Sequence, residues 1–479
     1  MTALLSSPTS VPRRDFLKAG GAAGALALAA PGRVLGANDR VRVCVCGVHD
    51  RGWDHIRNYA GIAGAEVAAI CDVDARILRR RAAQMAVLGL PRPKLYNDPR
   101  RMLEDRSLDA VSIATPNHWH SLLGIWACQA GKDVYVEKPM CHYAWEGRQL
   151  VAAVNKYQRI CQHGTQSRSM PAVRAAIREL RAGRIGDTYL ARGLCYKWRP
   201  TIGHTPPAPV PPGLDYDLWT GPAPRHAFTA NRFLYNWHWF WDYGNGDLGN
   251  QGIHQLDVAR WGLDVAYPSQ VSATGAKVLF DDDQQTPNLL NCAFQFDTPA
   301  GRRLLEFEVR GWITNHEAGI GTGRYRAQPL PGEVARPPKH WTWANTPMHS
   351  SFQGPVSGPS TIGEIFYGSK GYLVVDGDTA YRAFLGPGQD PGPGAHGGNE
   401  RLHFENFIAC VRTRRAEDLH APIEEGYRSV LLVHLANASY LTGRTLHYDA
   451  AAGQVRGDDQ ANQLLRGHYR APFTVPELV

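Results

Sequence analysis

Val41-Arg-Val-Cys-Val-Cys-Gly-Val-His-Asp-Arg-Gly52 reads as a buried strand that runs directly into a glycine turn. A short, nearly continuous apolar run closed by turn residues is what a strand covered on both faces of a parallel sheet requires. Downstream, Asp133-Val-Tyr-Val-Glu-Lys-Pro139 repeats the pattern, with strand Val134–Val136 ending in a charged pair and a proline. In an open α/β sheet, ligands gather beyond the carboxyl ends of the strands. Both loops therefore open onto one crevice, with Lys138 standing in it. A dinucleotide-type turn and a lysine at neighbouring strand ends point to hydride transfer.

Working outward, strand-like runs at Val41–Cys46, Glu66–Cys71, Ala110–Ala114, Val134–Val136 and Arg159–Gln162 alternate with helical patterns at Trp53–Ala60, Ala75–Val87, Trp119–Ala130 and Trp145–Tyr157. Such alternation specifies a doubly wound parallel sheet. After Gln166 the pattern changes. A helix at Ala172–Arg181 leads to strand-like segments at Asp187–Tyr196, Gln270–Val278, Leu290–Phe296, Arg303–Val309 and Gly371–Val375. Helices near His403–Arg412 and Glu424–Leu441 follow a Gly/Pro stretch, Gly386–Gly398, read as a loop. The expected fold class is α/β: a Rossmann-type domain at 38–166 and an α+β domain at 167–479. The second domain is built on one large, mostly antiparallel open sheet.

Composition is that of an ordinary globular enzyme, 43% hydrophobic and 20% charged. The net charge of +8 comes from dispersed basic residues with no Lys/Arg run, which excludes a nucleic-acid surface. The nine cysteines form no CxxC pair and the histidines lack ligand spacing, so no metal site is expected and the thiols are read as core residues. Segment 1–37 has a separate character. Pro12-Arg-Arg-Asp-Phe-Leu-Lys18 precedes a weakly apolar stretch, Ala19–Ala30, which is the twin-arginine export pattern. It predicts the twin-arginine export machinery as a partner and a periplasmic location, with retention at the inner membrane by an uncleaved signal as the alternative.

The turn Gly47-x-His49-x-x-Gly52 is a GxGxxG with its middle glycine replaced by His49. Gly47 permits the tight turn and Gly52 the close packing of helix on strand. Asp72, at the end of the second strand, is placed to hydrogen-bond ribose hydroxyls and to repel a 2′-phosphate. NAD is therefore expected over NADP, with Arg51 and Arg76 nearby as the features that favour NADP. Thr115-Pro-Asn-His-Trp-His120 follows a buried strand, so Thr115, Pro116, Asn117 and His120 rim the same crevice, with Asn117 also fit to be a helix N-cap. Gln166, after the fifth strand, is placed to touch cofactor or substrate. The segment Tyr235-Asn-Trp-His-Trp-Phe-Trp241 offers aromatic faces suited to a sugar, Trp237 among them.

Taken in order, the Gly47 loop, Asp72, Thr115-Pro116-Asn117 and Glu137-Lys138-Pro139 resemble the Gfo/Idh/MocA family, relatives of glucose–fructose oxidoreductase and inositol dehydrogenase. Gly249-Asn-Gln-Gly-Ile-His-Gln-Leu-Asp-Val-Ala-Arg-Trp261 and Glu364-Ile-Phe-Tyr-Gly-Ser-Lys-Gly371 extend the likeness over everything after the export segment. The resemblance implies that Lys138 lies near the nicotinamide and the substrate hydroxyl as part of the acid/base apparatus. Glu137 then anchors the cofactor ribose or orients the lysine, and Pro139 fixes the turn through a cis bond. His254 is the second catalytic candidate. Many family members carry an aspartate four residues before it, where this chain has Asn250. The acid/base burden therefore falls on Lys138 and His254, with Asp257 expected to orient the imidazole and Asn250, His254, Asp257 and Trp237 expected to bind substrate.

The resemblance implies an exported NAD-dependent oxidoreductase acting on a sugar, polyol or glycoside, its cofactor loaded before export and held tightly. A second reading is redox-neutral glycoside cleavage by transient oxidation and elimination, and a third is a non-catalytic NAD-binding scaffold. The large sheet of the second domain resembles the surface through which family members dimerise, which implies a homo-oligomer. Substrate choice is expected to lie in loops Thr201–Asn231 and Gly319–Gly358.

Overall fold

The computed structural model describes residues 40–312, 314–326 and 360–479. The twin-arginine segment and most of loop Gly319–Gly358 lie outside these residues. The first half is a six-stranded sheet built from β1 (Val41–Cys46), β2 (Ala65–Cys71), β3 (Lys94–Tyr96), β4 (Ala110–Ile113), β5 (Asp133–Val136) and β6 (Cys161–His163). All its pairings are parallel, in the order β3-β2-β1-β4-β5-β6. The order reverses between β1 and β4, so the crevice at this switch point is lined by the two loops from which the reading began. β3 was not anticipated: Lys-Leu-Tyr is a short, largely exposed edge strand with no buried run to mark it.

One face of this sheet is covered from an unexpected place. Helix Arg401–Thr413, from the far end of the chain, packs Phe404, Phe407, Ile408 and Val411 against Val41, Val43, Val45 and Tyr135. Phe404 stacks on Tyr135 with centroids 4.7 Å apart. The cofactor-side sheet is thus completed by residues that follow the second sheet in sequence.

The second sheet has ten strands: β7 (Thr188–Tyr196), β8 (Gln270–Ala276), β9 (Leu289–Thr298), β10 (Gly301–Arg310), β11 (Thr361–Gly368), β12 (Gly371–Asp376), β13 (Ala380–Leu385), β14 (Asp390–His396), β15 (Leu446–Asp449) and β16 (Gln454–Val455). Their order is β14-β13-β12-β11-β7-β10-β9-β8-β15-β16. β7 and β10 are parallel, with Leu190 opposite Leu304, whereas the other pairings are antiparallel. A parallel pair needs a crossover. Here the crossover carries the aromatic segment and helix Ile253–Leu263, whose Leu256, Ala259 and Leu263 join Phe294, Phe307 and Phe366 in the main core.

The stretch Gly386–Gly398 is not simply a loop, because β14 lies within it and pairs with β13. Pro391 and Pro393 cannot donate to a ladder, but β14 is the outermost strand, where one side needs no partner. All nine cysteines are buried thiols. Among the described residues, no helix is long and apolar enough to cross a membrane, and no group of three or more metal-binding side chains converges.

Candidate active site

The strand ends of the first sheet and the crossover of the second enclose a cleft of about 760 Å³. It is lined by Gly47, His49, Arg51, Asp72, Thr115, Pro116, Asn117 and His120 on one side. Glu137, Lys138, Gln166, Trp237, Asn250 and His254 also face it. Two nominated residues, Gly52 and Asp257, are missing from this lining.

The turn after β1 is as tight as its glycines require. A Cβ on Gly47, which sits at φ +76°, would lie 2.7 Å from Ala114 O and Thr115 N, and one on Gly52 would lie 1.9 Å from Gly47 O. The loop and the end of β4 therefore meet backbone to backbone, leaving the close approach a pyrophosphate needs. His49 keeps to the rim with Nδ1 3.2 Å from Asp50 Oδ1. Arg81 holds the loop from behind, donating from Nε to Val48 O (2.8 Å) and from Nη2 to His49 O (2.6 Å).

Asp72 accepts from the main-chain N–H groups of Val48 and Asp74, each at 2.9 Å. Its carboxylate is fixed at the strand end while still facing the cleft. The two arginines that could have favoured a 2′-phosphate are already engaged. Arg51 donates to Glu137 Oε1 (2.7 Å) and Glu400 Oε2 (2.8 Å), and Arg76 pairs with Asp74 (2.6 Å). The donor set therefore fits NAD better than NADP.

Glu137 is a hub. Besides Arg51, its Oε1 faces His55 Nε2 at 3.0 Å and accepts from Gln166 Nε2 at 3.0 Å, while Oε2 accepts from the Lys138 N–H at 3.0 Å. Burial alone would raise its pKa, but Arg51, His55 and Lys138 outweigh burial and hold it well below the usual glutamate range. Gln166 also donates to the Tyr135 hydroxyl at 2.9 Å. His120 bridges two loops, with Nδ1 2.7 Å from Pro139 O and Nε2 2.7 Å from Thr115 O. The Lys138–Pro139 bond is cis. Asn117 is not an N-cap: Pro116 takes that place, and the Asn117 amide donates to Asn245 Oδ1 at 3.1 Å.

Lys138 reaches across to the second domain. Its Nζ donates to the main-chain oxygen of Asn250 at 2.6 Å and lies 3.4 Å from Asn250 Oδ1. Asn250 sits in a single π turn, Leu248–Gly252, of the kind that often marks a functional site. Burial lowers the Lys138 pKa, opposed by Glu137 and Tyr235 and assisted by Arg51 and Lys197. A lysine shifted in that direction gives up its proton more readily than one in water, which suits an acid/base role. His254 Nδ1 is buried without a partner, and burial followed by the Lys138 charge brings its pKa down to about 3. Its imidazole is therefore neutral and available as a hydrogen-bonding group.

Asp257 does not orient His254. Although only three residues separate them, its carboxylate is fully buried and accepts from Arg168 Nε (2.7 Å) and Nη2 (2.9 Å) and from Ser429 Oγ (2.6 Å). A fixed guanidinium fork claims both oxygens, so the expected substrate and orienting roles are withdrawn. The aromatic segment divides. Tyr235, Trp237 and His238 line the cleft, with Trp237 stacked on His238 at 3.6 Å, whereas Trp239 and Phe240 belong to an aromatic core with Trp219 and Tyr243. In the 3₁₀ turn Leu234–Trp239, side chains three residues apart eclipse, which brings Tyr235 and His238 to the same side.

Three cleft residues were not anticipated. Lys197 stands at the carboxyl end of β7, where the strand-end logic that selected Lys138 would have found it. Gln251 adjoins Asn250, and Glu400 reaches Arg51 from a part of the chain no local pattern connects with it.

Residues 41–165 match a family model described as oxidoreductase family, NAD-binding Rossmann fold. Residues 191–291 and 398–475 match its C-terminal alpha/beta domain. A glycosyl hydrolase family 109 protein of Shewanella pealeana is 32% identical over 161 residues, 33% of each chain. Inositol 2-dehydrogenase 1 of Saccharopolyspora erythraea is 36% identical over 152 residues, 31% of this chain and 44% of that protein. The matches thus span less than half the length of these curated relatives. In fold, the chain is similar to the aldose-aldose oxidoreductase of Caulobacter crescentus, solved with glycerol, at TM-score 0.59 and 19% identity over 85% of this chain and all of that one. It is equally similar to the WlbA dehydrogenase of Bordetella pertussis, solved with NADH and UDP-GlcNAcA, at TM-score 0.59 and 18% identity over 86% of this chain and 99% of that one. With both halves matched by models of one family, the chain belongs to the Gfo/Idh/MocA family of NAD-binding oxidoreductases.

Proposed function

We propose that this protein transfers hydride between a tightly held NAD and a CH–OH carbon of a sugar, polyol or glycoside. The observation that carries the reading is the placement of Lys138 at the end of β5, hydrogen-bonded to Asn250 and across the cleft from the Gly47 turn. When bound, NAD supplies the hydride acceptor or donor. Gly47, Asp72 and Thr115 hold the dinucleotide, and the Glu137 hub keeps Arg51 and Gln166 at its edge. Lys138 takes the hydroxyl proton as the carbon is oxidised and returns it in the reverse direction. Neutral His254 and the Asn250 amide orient the hydroxyl without exchanging its proton, and Trp237 offers a face for the ring.

The twin-arginine segment supports an exported, periplasmic enzyme whose cofactor is loaded before translocation. The large second sheet supports a homo-oligomer. A second reading, redox-neutral glycoside cleavage, is favoured by the glycosyl hydrolase family 109 relatives. In that reading, oxidation of a ring hydroxyl acidifies the neighbouring C–H, a base removes that proton as the aglycone leaves with the glycosidic oxygen, water adds to the resulting double bond, and return of the hydride would restore the hydroxyl.

The test uses protein purified without added cofactor. Mass spectrometry identifies the released nucleotide, and nicotinamide absorbance is followed against a panel of sugars and glycosides. Lasting reduction of the bound nucleotide supports the dehydrogenase. Cleavage with no net reduction supports elimination, and protein free of nucleotide that cannot be loaded with NAD overturns both.

A further inference from the structure

Lys138 and Lys197 enter the substrate side of the cleft from different domains and converge on one π turn. Lys138 Nζ donates to Asn250 O at 2.6 Å, and Lys197 Nζ donates to Gln251 Oε1 at 2.9 Å. Both acceptors are neutral. Neither lysine has a carboxylate at ion-pair distance among the described residues, and the charge of Lys197 acts against that of Lys138.

The neighbouring charges are committed elsewhere. Arg199 is neutralised by a two-pronged pair with Asp247, at 2.8 and 2.7 Å. Asp378 accepts from Ser167 Oγ at 2.7 Å, and Glu137 serves Arg51. Burial, with Arg199 adding to it and Asp247 and Asp378 opposing it, pushes the Lys197 pKa down to about 8. Lys197 faces the cleft, and its hydrogen bond to the neutral Gln251 leaves donors to spare for an anionic group of a ligand. A neutral sugar hydroxyl would leave that charge uncompensated.

Resting on the carbohydrate reading above, we propose that the natural substrate is an acid sugar, a uronic or aldonic acid, whose carboxylate is bound by Lys197. Lys197 is then the residue that sets specificity, while Lys138 acts at the carbon being oxidised. The Gln251 amide completes the contact as a donor to the second carboxylate oxygen.

The experiment measures binding to NAD-loaded protein by calorimetry, using hexuronates and aldonates, their uncharged amides, and hexose phosphates. The acids are expected to bind about tenfold or more tightly than their amides, as loss of a charge-assisted contact implies. Lys197→Gln should abolish that preference while keeping the nucleotide, and Lys197→Arg should retain most of it. Equal affinity for acid and amide, or a preference that survives Lys197→Gln in folded, nucleotide-loaded protein, overturns the proposal. If Lys197→Gln does not fold, retention of the acid preference by Lys197→Arg and its weakening by salt decide the matter, and their absence counts against it. A phosphate bound more tightly than the matched acid overturns the carboxylate assignment. Turnover of neutral sugars with no acid bound removes this inference alone, whereas protein that holds NAD and accepts hydride from neither class removes the carbohydrate reading with it.

Discussion

Lys138 Nζ donates to the main-chain oxygen of Asn250 at 2.6 Å, joining the last turn of the cofactor-side sheet to the π turn of the crossover. This contact spans the two domains at the point where chemistry is expected. It also explains how the site manages without a carboxylate at position 250: a peptide carbonyl holds the lysine in place but leaves its proton free to move.

Replacement Lys138→Met should lower kcat by about 10²–10⁴, the usual worth of a positioned acid/base group. The bound nucleotide should remain, since the Lys138 side chain reaches to Asn250 and its hydrogen bond to Glu137 is made by the main-chain N–H, which the substitution keeps. Single-turnover absorbance of the nicotinamide, alongside nucleotide content, checks both parts. Full activity in this variant would remove Lys138 from the mechanism.

Replacement Asn250→Asp should move the pH profile. A carboxylate at a position now 3.4 Å from Lys138 Nζ favours the ammonium and raises the lysine's pKa. If neutral lysine accepts the proton during oxidation, the acidic limb of kcat/KM moves to higher pH, by about one to two units. A limb that stays in place shows that another group titrates there.

Replacement Asp72→Ala should weaken NAD binding by about 1.5–3 kcal/mol, as expected for losing a hydrogen-bonding charge. NADP should not gain in compensation, because Arg51 and Arg76 are held by Glu137, Glu400 and Asp74. Calorimetry with both nucleotides tests this, and tight NADP binding by the variant would mean one of those arginines is released.

Replacement Asp257→Asn should destabilise the fold by up to about 3–5 kcal/mol, because it leaves the buried Arg168 guanidinium with only the longer 3.4 Å contact to Glu425 as an anionic partner. The pH profile of the folded fraction should not change, since Asp257 does not touch His254. Denaturant unfolding and a pH–rate series separate the two effects, and a moved profile would restore the orienting role.

Acid should act through Glu137. Its folded pKa is depressed, so the stability it contributes is complete above the ordinary glutamate value of about 4.3 and is lost as pH falls through the lower folded value. Glu137→Gln should be less stable at neutral pH and show a flatter decline into acid. Parallel slopes for the two proteins would assign acid sensitivity to other carboxylates.

The cofactor side was legible because its strands are continuous apolar runs ending in residues of unmistakable chemistry, Gly47, Asp72 and Glu137-Lys138 among them. The second sheet was less so. β14 is disguised by Pro391 and Pro393, which only an outermost position tolerates, and β11 was quoted as a motif without being seen as a strand. Asp257 was misread because helical spacing from His254 suggests a partnership, while Arg168, distant in sequence, takes the carboxylate. Lys197 was missed although it obeys the same strand-end rule as Lys138.

The parallel joint between β7 and β10 bears on the order of assembly. Pairing Leu190 with Leu304 closes a loop of roughly a hundred residues, an ordering cost met before any long-range contact is made. The residues within that loop include Lys197, Trp237, Asn250 and His254. In a refolding reaction, the six strands of the nucleotide half can pair through contacts much nearer in sequence, whereas their cover by helix Arg401–Thr413 and the face that meets the substrate both wait for longer closures. A chain arrested before closure would hold paired strands with one face bare and no wall for a substrate to meet.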